Sequence, residues 1–218
     1  MIRNLLFDLD GTLVDSSGTI SAALIHALER AGSEPPDAGA VRAFIGRPLL
    51  EIFSEDFGMD EHSARRAIDD YRAQYARLGR EGSRVYAHVE EGLAALADAG
   101  FRLYVATVKP ENIADRVLRD FGLRSRFSGI AGSSLDSQRR HKADIIAHAL
   151  EVNALAPHRS LMIGDRAEDV NGARQHGIDA IGVAYGFGGR AELDAAGARQ
   201  VVDGFDEVTA LALSECSR

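Results

Sequence analysis

The sequence predicts an α/β protein: a three-layer α/β/α core on a parallel sheet, with a small all-α second domain. Three observations predict it. Short apolar runs alternate with helical patterns along most of the chain, as in parallel β/α units. The first of these runs, Asn4–Leu9, carries four apolar residues and leads into the paired acids Asp8 and Asp10. Between about Thr19 and Gly79, by contrast, apolar residues recur only at helical spacing and no strand-like run is found.

Taken in order, strands are expected at Asn4–Leu9, Arg102–Thr107, Gly129–Gly132, Ser160–Gly164 and Ala180–Val183. Helices are expected between and after them, at Val89–Ala99, Pro110–Phe121, Lys142–Val152, Ala167–His176 and Ala191–Ala196. Gly100, Gly122 and Gly177 stand where helices close, and Pro110 stands in a first turn. In the helical stretch, Ala23, Leu24, Ala27 and Leu28 mark one amphipathic face, and Ile68, Tyr71 and Tyr75 a second. Segments rich in Gly, Pro and acidic residues at Glu34–Gly39 and Gly79–Ser83 punctuate it. An all-helical insertion after the first strand reads as a cap near the carboxyl ends of the strands, where ligands of open α/β sheets bind.

With 218 residues the chain is long enough for one large domain or a domain with a smaller partner. A net charge of −8 excludes the broad basic surface that nucleic-acid polymers select. A phosphate ester bound to such a protein must meet locally built positive charge. The one cysteine, Cys216, allows no internal disulfide and is expected to be inert. Met1 leads directly into the first strand without the pattern of a secretory signal, and no run approaches a membrane span. The cytoplasm is the expected compartment, with no membrane partner.

The chemistry lies at the strand ends. Asp8 and Asp10 point to one side because side chains alternate along a strand. Adjacent carboxylates repel unless a cation or a shared proton relieves them. Gly11-Thr12 turns the chain and can aim backbone N–H groups at the same place. A turn with two solvated acids would explain Asp10-Gly11, but it leaves Asp8, directly behind an apolar strand, without a reason. At the end of Leu103–Thr107, the Thr107 hydroxyl with the following amides, including that of Val108, can cradle phosphate oxygens or simply cap a helix. Only two of the 25 basic residues are lysines, Lys109 and Lys142. A compact ammonium fits between a carboxylate and a phosphoryl oxygen where a planar guanidinium does not. Lys109 has two readings, a second phosphate contact or a solvated first-turn residue. Asp165 and Asp169 follow the run Leu161–Gly164 one helical turn apart; an N-cap followed by an acidic first turn would also place acids there.

Phe7 to Ser16 reads Phe-Asp-Leu-Asp-Gly-Thr-Leu-Val-Asp-Ser. With Thr107, Lys142 and Gly164-Asp165-Arg166-Ala167-Glu168-Asp169 in the same order, the chain resembles the haloacid dehalogenase superfamily along its whole length. The resemblance implies a Rossmann-like core over residues 1–16 and 84–218 and an α-helical cap over 17–83. It implies that Asp8 attacks phosphorus, Asp10 transfers protons, and Thr107 and Lys142 hold phosphate oxygens. It further implies Mg²⁺ at Asp8, the Asp10 carbonyl and Asp165, with Asp169 a direct ligand or the holder of a metal-bound water. Gly11, Thr12, Asp15, Val108 and Lys109 are then candidate substrate contacts or, for Asp15 with Ser16, a hinge. Asp10 favours phosphoryl chemistry over dehalogenation, which needs no acid at that place.

Within the superfamily the chain looks most like phosphoglycolate phosphatases and a similar 5′-nucleotidase-like group. Ala106–Pro110, Ile130–Asp136 and Gly182–Gly188 resemble the latter. Arg47, in Ala43–Leu49, is a candidate contact to a substrate carboxylate or sugar phosphate, or a solvated loop arginine. Val108 departs from the usual Ser or Asn. Ala87-His88 departs from the usual Pro-Gly, which implies a stiffer return from the cap. The expected partner is a small phosphate ester, and the expected assembly a monomer or homodimer. A β-phosphoglucomutase-like mutase, a dehalogenase and a non-enzymatic binding module are the alternatives. Gly186–Gly189 lacks the setting of a dinucleotide fingerprint, and His141 and His148, seven apart on one helix, read as surface residues and not zinc ligands.

Overall fold

The computed structural model describes residues 1–37, 40–134 and 139–215. Cys216, Leu135, Asp136 and the Gly39 end of Glu34–Gly39 lie outside the described residues. The chain divides into two units, Met1–Asp15 with Val85–Arg218, and Ser16–Arg84.

The first unit is built on strands β1 (Asn4–Phe7), β2 (Arg102–Pro110), β3 (Gly129–Ser133), β4 (Ser160–Gly164), β5 (Asp179–Val183) and β6 (Gln200–Val202). All neighbours are parallel, in the order β3-β2-β1-β4-β5-β6. The order reverses between β1 and β4, the switch point at which open α/β sheets bind ligands beyond the strand ends. Both strands are buried throughout, as central parallel strands must be. β2 runs three residues past the expected end at Thr107, with its pairing to β3 interrupted between Ala106 and Pro110. β6 has only three residues, too few to show a period.

In the second unit, α1 (Ser17–Arg30) buries Ala23, Leu24, Ala27 and Leu28, and α2 (Glu61–Leu78) buries Ile68, Tyr71 and Tyr75. These are the stripes read from the sequence, and the two helices pack on each other. The Asp60 carboxylate caps α2 by accepting from the Ser63 N–H at 2.8 Å. A short 3₁₀-helix (Ala40–Phe44) and a π-helical turn (Ile52–Asp56) lie between them.

The longer helices of the first unit are α3 (Val89–Asp98), α4 (Glu111–Asp120), α5 (Lys142–Val152), α6 (Ala167–Gln175), α7 (Gly189–Ala196) and α8 (Phe205–Ser214). Strand alternation divides the core between the two faces of the sheet. Leu6, Tyr104, Ala106, Met162 and Ala180 pack with Ile145, Ile146, Val170, Ala173 and Leu193 of α5, α6 and α7. Phe7 turns the other way, stacking on Phe205 of α8 at 5.9 Å and meeting Phe127 edge-on at 6.2 Å. α3 lies beside α8, and a side chain at Gly92 would drive into the Phe205 ring, 2.7 Å away. No helix among the described residues is long and apolar enough to cross a membrane. His141 is the N-cap residue of α5, just outside the helix expected to carry it with His148.

His88, directly before α3, has φ 63 and ψ 5, a left-handed conformation. An L side chain in this region costs about 1–2 kcal/mol. Glycine removes that strain but adds about 0.5–1 kcal/mol of backbone entropy loss on folding. His88→Gly should therefore gain roughly 0.5 kcal/mol and melt ~1–2 °C higher. His88→Val, β-branched, should melt below the parent. Equal melting of the two variants would count against a left-handed residue 88.

Candidate active site

Asp8 directly follows β1, and its N–H donates to the Ile163 carbonyl of β4 at 2.9 Å, so the ladder fixes its backbone. Asp8 is 3% exposed, and Asp165 and Asp169 are fully buried. Asp165 directly follows β4, and Asp169 lies in the first turn of α6. One carboxylate oxygen from each of Asp8, Asp165 and Asp169 lies within 4.8 Å of the others. The glycines around them make this crowding possible. A Cβ on Gly11, which has φ +90, would overlap the Asp165 carboxylate. Equally, one on Gly164 would overlap Asp169.

Two lysines meet these acids. Lys142 Nζ lies 2.9 Å from Asp8 Oδ1 and 2.6 Å from Asp169 Oδ1, and donates to the Ala106 carbonyl at 3.0 Å. Lys109 Nζ lies 2.7 Å from Asp10 Oδ2. Burial alone would lower the Lys142 pKa, but Asp169 and Asp8 outweigh it and raise it. Asp165 is pushed well above its ordinary carboxyl value by burial and then by the charges of Asp169 and Asp8. Burial, only partly offset by Lys142, pushes Asp169 up to about 6. Carboxylates held this way lack compensating positive charge.

The donor set fits a divalent cation. Asp8, Asp10, Asp165 and Asp169, against Lys109 and Lys142, leave an excess of two negative charges when all are ionised. Asp8 Oδ1 and Asp169 Oδ1 are buried without a hydrogen bond. Lys142 lies at ion-pair distance from both, so one cation is shared between two carboxylates. All-oxygen carboxylate donors are those of a hard cation such as Mg²⁺.

Asp165 is held from two sides. Its Oδ1 accepts from the Thr12 hydroxyl at 3.1 Å and its Oδ2 from the Phe187 N–H at 2.7 Å. The Phe187 contact belongs to the loop after β5, Tyr185–Gly188, to which the sequence reading gave no role. A Cβ on Gly186 would overlap Asp165, and one on Gly188 would lie 2.5 Å from the Asp165 carbonyl. The Tyr185 hydroxyl donates to the Thr12 carbonyl at 2.7 Å. Burial and then the Asp165 charge raise its pKa, so it stays a neutral donor. The signal in the sequence was three glycines within four residues, directly after a strand.

The other candidates are distributed as follows. Thr107 is 1% exposed inside β2, and Asp165 precedes the α6 N-cap, which is Arg166; neither caps a helix. Asp169 does serve the α6 end, with Oδ2 accepting from the Arg166 N–H at 3.1 Å. Val108 turns to the opposite sheet face and packs on the core. Thr12 is buried, and Asp15 half-buried. Lys109 is buried too and lies in a strand, so it is no solvated first-turn residue. Arg47 belongs to the second unit, where it pairs with Asp56 at 2.9 Å and Glu55 at 3.7 Å.

Comparison with known proteins agrees with this arrangement. A family model described as haloacid dehalogenase-like hydrolase matches residues 5–183. The chain is 43% identical to a 5′-nucleotidase of Pseudomonas aeruginosa, over 88% of its own length and 87% of that protein. It is 42% identical to the tyrosine-protein kinase PtkA of Mycobacterium tuberculosis over 84% of its length, spanning 62% of that protein. A solved structure of a predicted phosphatase from Clostridium acetobutylicum has a TM-score of 0.94 at 38% identity, covering 98% of this chain and 99% of that one. Proteins named phosphoglycolate phosphatase match at lower identity.

The charge excess predicts a metal- and pH-linked stability. In metal-free protein Asp169 holds its proton more tightly folded than unfolded, so its contribution to stability falls as pH rises from 3.8 through about 6. A cation needs the ionised form. At pH 7.5, Mg²⁺ at ~100 times its Kd should add about 2.7 kcal/mol, or roughly 5–10 °C in Tm. By thermal shift at one fixed Mg²⁺ concentration, the gain should shrink at pH 5.5 and vanish in Asp165→Asn. An Asp165→Asn protein with the full gain would remove Asp165 from the cation site.

Proposed function

We propose a function for a chain that belongs to the haloacid dehalogenase-like hydrolase family: a Mg²⁺-dependent phosphatase that hydrolyses a small phosphomonoester through a phosphorylated Asp8. The observation that carries it is the buried Asp8 carboxylate at the end of β1, with Lys142 Nζ 2.9 Å away and Asp165 and Asp169 beside it. In this reading residues 1–16 and 84–218 form the catalytic core and 17–83 the cap that selects the substrate. The all-helical character of the second unit supports that division.

Asp8 forms a bond to phosphorus while the ester bond breaks, and Asp10 gives its proton to the departing alkoxide. Asp10, now a carboxylate, takes a proton from water as the water oxygen bonds to phosphorus and the Asp8–phosphorus bond breaks. Asp8 is regenerated, and alcohol and inorganic phosphate leave. Lys142, the Thr107 hydroxyl and the amides after Asp8 and Thr107 hold phosphoryl oxygens. Asp8, Asp165, Asp169 and the Asp10 carbonyl would hold Mg²⁺, which supplies positive charge between nucleophile and phosphate.

The first reading of the substrate is phosphoglycolate. A second, a 5′-nucleotide, is favoured by the 43% identity to the P. aeruginosa 5′-nucleotidase. Phosphate release from phosphoglycolate, 5′-nucleotides and sugar phosphates, with Mg²⁺, separates them. Release of inorganic phosphate without labelling of protein tyrosine separates both from the activity for which the mycobacterial relative is named. Asp8→Asn should lower kcat by at least about 10⁴-fold, as loss of a nucleophile does. Near-native turnover by that variant would sink the mechanism.

A further inference from the structure

We propose that Lys109 is the positioning residue for the proton-transferring carboxylate: it clasps Asp10 Oδ2 so that the acid faces the leaving oxygen. The inference rests on the proposed role of Asp10 and deepens it. Neither residue is at the surface, both being 8% exposed, and the ammonium stands 2.7 Å from the carboxylate. The chain has two lysines, and each serves a different acid, Lys142 meeting Asp8 and Asp169 while Lys109 meets Asp10.

The backbone fixes where Lys109 points. Strand period two sets Thr107 and Lys109 on one side of β2, while Val108 packs on the core behind. The Lys109 N–H donates to the Thr107 hydroxyl oxygen at 3.3 Å. On the far side, β3 comes so close that a Cβ on Gly132 would lie 2.6 Å from the Lys109 carbonyl and from the Glu111 N and Cα. The extension of β2 beyond its expected end is thus held closely against β3. In the first chemical step the Asp10 proton passes to the alkoxide as the phosphorus–oxygen bond breaks. The carboxylate left behind is the form a neighbouring ammonium stabilises. A phosphate ligand, by contrast, would act on every ester alike.

Leaving groups separate the two roles. p-Nitrophenolate departs without a proton, whereas an alkoxide needs one. Lys109→Met, folded by circular dichroism, should keep a near-native pre-steady-state burst of nitrophenolate while phosphorylation by an alkyl phosphate slows by about 10²-fold. Lys109→Arg, which keeps the cation, should recover part of the alkyl rate. In the Asp10→Asn background, Lys109→Met should add less than about twofold, because the two residues then act as one unit. If Lys109→Met slows both esters equally while Asp10→Asn slows the alkyl ester selectively, the inference fails and the proposed function stands. If Asp10→Asn itself slows both equally, the acid role of Asp10 fails and the inference falls with it.

Discussion

Like charges crowded out of water are the constraint on which the rest of this molecule depends. Three carboxylates within 4.8 Å, at most 3% exposed, cannot all ionise without help. Nearly every special feature around them answers that problem. Lys142 supplies a charge to two of them, the Thr12 hydroxyl and the Phe187 N–H supply hydrogen bonds to the third, and the Arg166 N–H supplies one to Asp169. The help is incomplete by two charges. A scaffold that buries acids and leaves them undercompensated fits a dication, since replacing a buried ionic cluster by apolar side chains is often neutral or stabilising.

The fold delivers this crowding with little freedom in the backbone. β1 and β4 are neighbours in register, Phe7 opposite Ile163, so the residues just beyond them emerge side by side. Aromatic and aliphatic packing on both faces of β1 holds that register: a slip of one residue would turn Leu6 and Phe7 to the wrong layers. Asp8 therefore inherits its position from the core. Asp165 depends additionally on the absence of side chains at Gly11 and Gly186, where any Cβ would displace it.

Much of this was legible in the sequence, for identifiable reasons. Apolar runs marked the buried strands, and acids or hydroxyls at their ends marked the site, because an acid behind an apolar strand needs a partner. Asp8, Asp165, Asp169 and Lys142 come together in space as their places in the pattern imply. What escaped has equally physical reasons. β6 is too short to show periodicity. The helix α8 opens at Gly204 without a capping side chain, although Phe205, Val208 and Ala212 carry its buried stripe. The role of Tyr185–Gly188 lies in a backbone N–H and in missing methyl groups, which a sequence shows only as glycines. The two readings of Lys109 could not be separated until β2 proved to extend to Pro110, because a residue in a first turn and one in a strand face different neighbours.

The charge balance also bears on how an anionic ester is admitted. The chain carries eight net negative charges, and the site adds an undercompensated pair of its own, so a phosphate dianion approaching without a cation meets repulsion at long and short range. The two lysines cannot reverse this, since both are already engaged with carboxylates. In the proposed mechanism a dication would bring the cluster toward neutrality and leave Lys142, the Thr107 hydroxyl and the strand-end amides to orient the phosphoryl group. On that reading affinity for the ester and affinity for the cation would be coupled, and by thermodynamic linkage each would raise the other by the same factor. On the proposed function, the acids that make the metal-free site unfavourable would also make recognition of phosphate conditional on the metal.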